Sequence, residues 1–469
     1  MSSRFGPPPV QAPFRSPIGF TDLLAAAAEG ARRLDGEGVL SLALPLPLRD
    51  PLALLGDLAG GERFRFLWDN APGLCLAASG RTNSLELSGP RRFELAQRFS
   101  ALSLSRLAAP QGCPALARPR VLLAFSFFDG PLQEGEGVAG VQAVLPRWQL
   151  SRQGRHCWLR LQRNLGGDVS ARAVAEELWE EAQRLAALPA AAPPVEGEAL
   201  LLHRSAWEAG YRSVVHRGLE LVSSGNLRKL VLAVRQQLLL DRPLNPQPLL
   251  ARLRQQQSGS CRFLWQVGEG PTLLGASPER LLTVRQGQLR SDALAGTAAV
   301  AAADQLLQAD KDRREHELVV EAISTVLHQC GLRAHRPRHP RLARHGQLVH
   351  LHTPITAPLA GQAPLAIAGA LHPTPAVAGL PQREAMAALR SLEPFERGHY
   401  AAPIGWIDSD GDIELRVAIR SGRILGHQLE LTAGAGLVSG SVPERELQEV
   451  ALKLGVLQQQ LTRPSAVRA

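Results

Sequence analysis

The sequence predicts an α+β protein of the α/β-sandwich type, with large and mostly antiparallel sheets and with helices packed outside them. Alternating polar and apolar residues in DIELRVAIRS (412–421) indicate a half-buried strand, whereas the apolar stripe of SARAVAEELWEEAQRLAAL (170–188) indicates an amphipathic helix. Most predicted strands are joined by hairpin-like or irregular connections, which favours antiparallel pairing. With 469 residues, of which 45% are hydrophobic and 20% charged, the chain has a globular composition and enough length for a large core.

A proline- and alanine-rich segment, PAAAPPVEGEA (189–199), is the strongest candidate boundary. The N-terminal part, residues 1–195, shows short elements without a chemical constellation. The C-terminal part, residues 200–460, has polar residues at positions where strand and helix patterns predict apolar ones. We therefore expect this part to carry the function. The two parts are expected to form one intertwined globular unit. The main predicted elements are helices at 20–34, 203–226, 303–330 and 443–461, strands at 121–130, around Lys229 and at 412–421, and a loop at 431–441. The segments 263–267 and 273–284 look like a hairpin pair, with an irregular point at Ser277, Pro278 and Glu279.

The basic character of the chain does not indicate nucleic-acid binding. The formal net charge is +9, but the arginines are spread along the whole sequence and aromatic residues make up only 4% of it. The N-terminus lacks a secretory pattern, no apolar run approaches membrane-spanning length, and the five cysteines have no paired spacing. We therefore expect a soluble cytoplasmic protein with no nucleic-acid or membrane partner.

Lysine is rare in this sequence, which has 49 arginines and only three lysines, at Lys229, Lys311 and Lys453. Arginine supplies charge and forked donors but cannot lose its proton in a protein, whereas a lysine in a low-dielectric pocket can do so and act as a base. Lys229, within NLRKLVLAVR (226–235), is therefore a candidate for base chemistry. The alternative is the chance survival of a surface lysine in a chain with a biased composition.

Two pairs of acidic residues stand at helical spacing. Asp312 and Glu315 share one face of the predicted helix at 303–330, and Glu446 and Glu449 share one face of the last helix. If the pairs face each other, they form an oxygen-rich site suited to Mg²⁺. The alternative is a solvated helix face, on which Glu449 and Lys453 form an ordinary i, i+4 pair.

A site for a small anion is predicted from a strand and a glycine-rich loop. Alternation puts Glu414, Arg416 and Arg420 on one face of the strand at 412–421, where an arginine can clamp a carboxylate. In LTAGAGLVSGS, Gly434 and Gly436 would let backbone N–H groups approach an anion, although such loops are often only tight turns.

Histidines and Ser277 give weaker signals. His316, His350, His352 and His372 are either ligands or satisfied core histidines, and the absence of sulfur partners disfavours zinc. Ser277 lies in GASPERL without the G-x-S-x-G elbow, so serine-hydrolase chemistry is disfavoured.

Taken together, the motifs resemble those of the chorismate-utilising enzymes, a family that includes isochorismate synthases, salicylate synthases and the large subunits of anthranilate and aminodeoxychorismate synthases. The resemblance covers residues 200–460 and is carried, in order, by KLVLAVR, LLGASPERLL, LAGTA, KDRREHELV, HLHTPI, LHPTPAVAG, RGHYAAPIGW, ELRVAIRS, AGAGLVSGS and ERELQEVALKL. The first 190 residues resemble the family loosely, through FSFFDG and VLPRWQL.

The resemblance implies a role for each matching residue. Lys229 matches the base that activates water, and Glu279 matches the acid that protonates the departing C4 hydroxyl of chorismate. The implied Mg²⁺ ligands are Glu315 with Glu449 or Glu446, with Asp312 nearby, and the implied substrate-binding residues are His350, Thr374, Tyr400, Arg420, Gly434 and Gly436.

The implied activity is isochorismate synthase: chorismate gains water at C2 and loses its C4 hydroxyl. The alternatives are a salicylate synthase, which also expels pyruvate, and less favoured, an aminating subunit. Alanines follow Thr297 in LAGTAAV, where we expect an arginine in many salicylate-forming and aminating relatives, and the chain carries no glutaminase motif, so no glutaminase partner is expected. Quinone biosynthesis, of menaquinone or phylloquinone, is the expected pathway.

Overall fold

A continuously hydrogen-bonded system of twenty strands organises the protein, whose computed structural model describes residues 17–35, 38–58, 62–109, 113–130, 137–189 and 199–461. The strands within these ranges are β1 (Gly38–Leu46), β2 (Phe64–Asp69), β3 (Cys75–Leu87), β4 (Leu107–Ala108), β5 (Arg120–Phe125), β6 (Val141–Gln153), β7 (His156–Leu165), β8 (Leu201–Arg204), β9 (Lys229–Leu240), β10 (Cys261–Val267), β11 (Thr272–Ser277), β12 (Arg280–Arg285), β13 (Gln288–Ala299), β14 (Arg341–His345), β15 (Leu348–Pro358), β16 (Gly379–Leu380), β17 (Pro403–Asp408), β18 (Ile413–Val417), β19 (Ser421–Leu425) and β20 (Gln428–Leu437). The α-helices are α1 (Phe20–Arg33), α2 (Arg92–Ser105), α3 (Ala171–Ala187), α4 (Glu208–Ser223), α5 (Pro246–Gln256), α6 (Ala303–Gln308), α7 (Asp310–Gln329), α8 (Pro364–Leu371), α9 (Gln382–Leu392) and α10 (Pro443–Gln458).

Two arms of sheet branch from the long strand β6. One arm runs through β3, β2, β10, β11, β19 and β20 to β9, whose far edge pairs with β8 and β16. The other runs through β5, β17, β18, β12, β13 and β15 to β14. Strand β6 also pairs with β7, which pairs with β1. These pairings are antiparallel, and only the short β1–β4 pair is parallel among the described strands. The predicted α+β fold class with mostly antiparallel sheet is confirmed.

An aromatic core lies between the two arms. In β2 the side chains of Phe64, Phe66 and Trp68 alternate inward, as the two-residue period of a strand requires, while Leu67 joins the larger core on the other side. The inner cluster also takes side chains from β10 and β17, and the Phe64 and Trp265 rings meet edge to face at 5.1 Å. The helices pack on the outer faces, where the larger cluster is buried.

Strands from the N-terminal part pair with strands from the C-terminal part. Strand β10 lies beside β2, and β17 lies beside β5. The inner aromatic core draws on both parts. These pairings support one intertwined unit, which stays a prediction, and the predicted boundary at 189–199 falls mostly outside the described residues.

Two predicted helices differ from the structure. The helix predicted at 203–226 begins only at Glu208, because the preceding residues add to the edge of β9 as strand β8. The helix predicted at 303–330 is broken at Ala309, which has extended backbone angles of φ −72° and ψ 109°. Helix α7 therefore begins at Asp310 and carries Asp312 and Glu315 in its first two turns. Within the described ranges, no helix is long and apolar enough to cross a membrane.

The strand predicted at 412–421 is also wrong in part. It ends at Val417, and the chain then passes to the other arm, where β19 begins at Ser421. The connection from β11 to β12 makes a similar crossing at Pro278 and Glu279.

The two crossings are hydrogen-bonded to each other. The Val417 N–H donates to the Glu279 carbonyl at 3.1 Å, and the Ala276 N–H donates to the Arg420 carbonyl at 3.1 Å. The Ser277 hydroxyl donates to the Val417 carbonyl at 2.6 Å. Backbone bonding therefore brings Glu279 and Arg420 together, and Ser277 has a structural contact here.

Candidate active site

A pocket of about 710 Å³ opens beside the two crossings. It collects residues from both arms and from helices α7 and α10. Eight of the twelve predicted site residues line it: Glu279, Glu315, His350, Tyr400, Arg420, Gly434, Gly436 and Glu449. The other four, Lys229, Thr374, Asp312 and Glu446, stand behind this lining and contact or electrostatically influence its members.

Lys229 is the first residue of β9 and its side chain is fully buried. Its Nζ lies 3.0 Å from Glu315 Oε1. Gly436, on the neighbouring strand β20, makes room for both groups, since a Cβ there would overlap Glu315 Oε1 and lie 3.0 Å from Lys229 Cε. The lysine is therefore an internal amine held against a carboxylate, and the surface alternative is wrong.

Glu279 is buried at the β11–β12 crossing. Burial raises the pKa of the Glu279 carboxyl to about 7, although Lys229, Lys453, Arg420 and the adjacent Thr374 hydroxyl act in the opposite direction. A carboxyl with this pKa holds its proton through much of the neutral range. It can therefore donate a proton to a group bound in the pocket.

Arg420 and Tyr400 form a cationic and phenolic wall of the pocket. Arg420 has a left-handed φ of 52°, a strained conformation for an arginine that turns the chain between the arms. Burial lowers the pKa of Arg420 to about 10, so it stays cationic at neutral pH, and burial raises the pKa of Tyr400 to about 12. This wall suits a carboxylate ligand.

Arg416 is not part of this wall. The alternation that placed it beside Arg420 is lost because the strand ends at Val417. Its guanidinium instead donates to Glu414 at 2.9 Å in a buried network that also includes Arg285. The prediction of one arginine-rich strand face is corrected.

The glycines predicted in a loop belong to strand β20. The Val231 and Ala233 N–H groups donate to a loop carbonyl and a carboxylate on the far side of β9, so they face away from β20. In antiparallel pairing the opposite residues then face away as well, and these are Gly436 and Gly434. Pairing of β20 with β19 stops at Thr432, so the N–H groups of both glycines point toward the pocket from a strand edge.

His350 presents one ring nitrogen to the pocket. Its Nδ1 lies 3.1 Å from the Gly296 carbonyl, which can only accept, so Nδ1 carries the proton. Burial, with Arg420 adding to it, lowers the pKa of His350 well below its usual value, and the ring is neutral. Its buried Nε2 is an acceptor without a hydrogen-bond partner among the described residues. A bound hydroxyl could donate to it.

The other candidate histidines have structural contacts outside the pocket lining. His372 bonds to the Phe127 carbonyl at 3.0 Å, His316 bonds to the Thr353 hydroxyl at 2.8 Å, and His352 pairs with Asp292 at 3.2 Å. These contacts favour the reading of satisfied core histidines.

The acidic residues predicted to hold a metal lie on α7 and α10, and three of them face a lysine. The ion pairs are Lys229–Glu315 at 3.0 Å, Lys311–Glu446 at 2.6 Å and Lys453–Glu449 at 2.5 Å. In the part of the chain that the structure describes, no three His, Cys, Asp or Glu side chains already stand together as ligands of a metal ion. Each of these three carboxylates is turned toward a lysine Nζ instead.

The carboxylates nevertheless alter one another's pKa values. Burial and the charges of Glu315 and Glu449 raise the pKa of Asp312 to about 6, against the effect of Lys311. Burial also raises the pKa of Glu446, despite its lysine partner. Burial favours a higher pKa for Glu449 too, but the charge and hydrogen bond of Lys453, together with the charges of Lys311 and Arg420, lower the pKa. A set of neighbouring carboxylate oxygens, of which Asp312 and Glu446 have raised pKa values, fits a hard divalent cation.

Two pocket residues were missed as site residues. Arg397 is fully buried, donates to Glu393 at 2.7 Å and to the Val377 and Val231 carbonyls at 2.7 Å each, and so ties β9 to the segment after α8. Lys453 donates to the Gly434 carbonyl at 2.7 Å and lines the pocket. The position of Arg397 in RGHY, three residues before Tyr400, and the rarity of lysine were the available signals.

Fold and site together define an enzyme with a pocket for a small anionic molecule, containing a buried amine, a carboxyl that holds its proton near neutral pH, and a cationic wall. The chain belongs to the chorismate binding enzyme family, whose sequence model matches residues 24–462.

Similar proteins carry more specific names. The salicylate biosynthesis isochorismate synthase of Pseudomonas aeruginosa is 33% identical over 453 residues, with 92% of each chain covered. The isochorismate synthase EntC of Escherichia coli is 36% identical over 256 residues, which cover 53% of this chain and 66% of that protein. The solved structure of MenF, the menaquinone-specific isochorismate synthase from Escherichia coli, has a TM-score of 0.74 and 28% identity, and covers 94% of this chain and 100% of that one.

Proposed function

We propose that the protein is an isochorismate synthase, converting chorismate to isochorismate in the cytoplasm. The observation that carries this proposal is the placement of Lys229 and Glu279 at one pocket, with a lysine sealed from solvent and a carboxyl whose pKa is raised to about 7. The named relatives support the assignment, since both the relative matched along 92% of its length and the MenF structure are isochorismate synthases by name.

The reaction adds water and removes hydroxide from the same ring. In our proposal Lys229 accepts a proton from water as its oxygen bonds to C2, and Glu279 gives its proton to the C4 hydroxyl as the C4–O bond breaks. The two groups have opposite tasks and need opposite protonation states, which different environments can maintain. Burial of Glu279 supplies one of these environments.

The remaining pocket residues hold the substrate. Arg420 and Tyr400 are proposed to bind a carboxylate, together with the N–H groups of Gly434 and Gly436 on the open edge of β20. His350 Nε2 is placed to accept a hydrogen bond from a ring hydroxyl, and Thr374 stands beside Glu279.

Mg²⁺ is the proposed cofactor. Glu315, Glu449 and Glu446 would hold it, with Asp312 close by, since their oxygen donors lie on neighbouring turns of α7 and α10. Bound there, it would supply positive charge against the ring carboxylate of the substrate. No glutaminase partner is required for water addition.

Product analysis tests the proposal. Purified protein is incubated with chorismate and Mg²⁺, and the products are separated. Isochorismate alone is the expected result. Salicylate with pyruvate would reassign the protein as a salicylate synthase, and unchanged chorismate would reject both.

We propose quinone biosynthesis, of menaquinone or phylloquinone, as the pathway that uses the product. The menaquinone-specific MenF structure supports this choice, whereas the Pseudomonas relative is named for salicylate biosynthesis. Loss of quinone with unchanged salicylate in a deletion strain is the expected result, and loss of salicylate alone would reverse the assignment.

A further inference from the structure

All three lysines of the chain stand at the same group of carboxylates. Among 52 cationic residues only Lys229, Lys311 and Lys453 are lysines, and each is the ion-pair partner of a different acid, at 2.5 to 3.0 Å. Elsewhere in the described ranges buried acids pair with arginine, as Glu393 and Glu414 do. A requirement specific to lysine therefore exists at these carboxylates.

The chemical difference lies in how each cation occupies space. Arginine binds a carboxylate through a planar fork with several fixed donors, whereas lysine presents one compact charge on a flexible stem. A compact charge on a flexible stem can occupy a cation position beside a carboxylate and can leave it by rotation of the stem. Lysine is thus the better partner where the cation must be exchanged.

Lys311 is the lysine best placed to leave. Its side chain is 25% exposed, against 1% for Lys229 and 15% for Lys453. Lys453 is also anchored by the Gly434 carbonyl, and both Lys229 and Lys453 are enclosed by the sheet and the pocket wall. Lys311 stands in the first turn of α7, from which its stem can reach solvent.

Glu446, the ion-pair partner of Lys311, is buried. The Glu446 side chain is only 1% exposed, and an unpaired buried carboxylate is strongly unfavourable. Glu315 and Glu449 also act electrostatically on the Lys311 ammonium. In its ionised form Glu446 therefore needs either Lys311 or another cation beside it.

We propose that Lys311 is an exchangeable counterion, which neutralises Glu446 in the metal-free protein and is displaced when a divalent cation binds to these carboxylates. This inference rests on the proposed function, which supplies the metal. It explains why the carboxylates are not assembled as metal ligands in the described structure, where lysines occupy them.

The test is the affinity for Mg²⁺, measured by calorimetric titration of the metal alone into the full chain. Removing the competing charge by Lys311→Gln should tighten Mg²⁺ binding about tenfold. It should also lower the Tm in EDTA, and Mg²⁺ should raise the Tm more than in the wild type. Lys311→Arg keeps a cation and should bind Mg²⁺ no more tightly than the wild type.

A matched control is Arg314→Gln, which removes one positive charge from an exposed position of the same helix. Its Mg²⁺ affinity should stay within about threefold of the wild type, because an exposed charge is screened. Equal or weaker Mg²⁺ binding by Lys311→Gln than by Arg314→Gln would overturn the proposal.

A second variant covers the case in which Lys311→Gln does not fold without metal. The double substitution Lys311→Gln with Glu446→Gln leaves no buried charge unpaired, and its Tm in EDTA should return toward that of the wild type. A double variant as unstable as Lys311→Gln alone would contradict the counterion role. Chorismate turnover by the wild type is measured separately, so failure of the proposed function and failure of the counterion exchange give different results.

Discussion

Glu279 combines two properties that rarely coincide, complete burial and several cations nearby. Burial favours its protonated form more strongly than Lys229, Lys453 and Arg420 favour the charged form, and the pKa is raised to about 7. A raised carboxyl pKa means that the folded state binds the proton more tightly than the unfolded state. The stability of the protein is therefore expected to fall as the pH rises from about 4.5 to about 7.

Glu279→Gln tests this linkage. The amide cannot ionise, so the variant should gain stability relative to the wild type by about 2–3 kcal/mol when the pH is raised from 5 to 8. Urea unfolding of both proteins at the two pH values measures the difference. A stability difference that does not change with pH would show that Glu279 titrates normally. Turnover of the variant should be lost at both values.

Lys229→Gln should lower kcat by about 10²–10⁴-fold, because the proposed base is removed while the substrate contacts remain. Steady-state kinetics with chorismate measure it. Lys229→Arg places a fixed cation beside Glu315 that cannot accept a proton, and it should be as inactive as Lys229→Gln. Activity of either variant within a few-fold of the wild type would place the base elsewhere.

At the scale of elements, the pocket depends on contacts that join strands to loops. Arg397 makes three of these contacts, because its guanidinium donates to Glu393, to the Val231 carbonyl of β9 and to the Val377 carbonyl after α8. It also packs over the Phe127 ring at 4.3 Å. The Arg397–Glu393 ion pair thus holds β9, the strand that carries Lys229, in place.

Arg397→Ala should lower the free energy of unfolding by about 3–5 kcal/mol, since it leaves Glu393 buried without a counterion. Adding Glu393→Gln to this variant should recover part of the loss. The control is Arg172→Ala, whose pair with Glu176 is exposed, and it should cost less than about 1 kcal/mol. Equal losses from Arg397→Ala and Arg172→Ala in urea unfolding would contradict this account.

Gly436 sets the distance between β20 and the carboxylate of Glu315. Gly436→Ala would force a Cβ into Glu315 Oε1, with a strain of about 1–3 kcal/mol, so Mg²⁺ affinity and kcat should both fall. Gly210→Ala, at an open position in α4, is the control and should leave both unchanged. Wild-type Mg²⁺ binding and turnover in Gly436→Ala would show that the close approach is not needed.

Sequence patterns predicted the elements whose period is long and uninterrupted, such as α3 and α10. They failed where hydrogen bonds from distant strands decide the outcome. LLHR became a strand because the edge of β9 was open, and the glycines at 434 and 436 became strand residues because β9 pairs with them. Arg420 was found by its motif. The backbone turn at Arg420 depends on a hydrogen bond from the Ala276 N–H, which is distant in sequence and so cannot be predicted from a local pattern.

Over the whole molecule, the inner aromatic core joins the two parts of the chain. Phe66 and Trp68 from β2 meet Phe263 and Trp265 from β10, and β17 pairs with β5. Neither part can cover these aromatic surfaces alone. We therefore expect the region at 200–460 to depend on the N-terminal part for its core.

A fragment of residues 200–469 should accordingly not fold when produced alone, since β10 and β17 would lose their partner strands. Circular dichroism and thermal unfolding of the fragment check this expectation, with the full chain as the control. A fragment with a cooperative transition and chorismate turnover would show an autonomous domain.

The hydrogen bonds at the two crossings also affect which parts of the site can open. The Val417 and Ala276 N–H groups continue the β12–β18 and β11–β19 ladders into the crossings, so they can be released only when these central ladders open. In hydrogen exchange these amides should therefore open with the free energy of global unfolding, while surface strands such as β14 exchange through smaller openings. The proposed acid and the arginine proposed to bind the anion would then share the most persistent part of the protein, and substrate access would depend on motion at the helical side of the pocket.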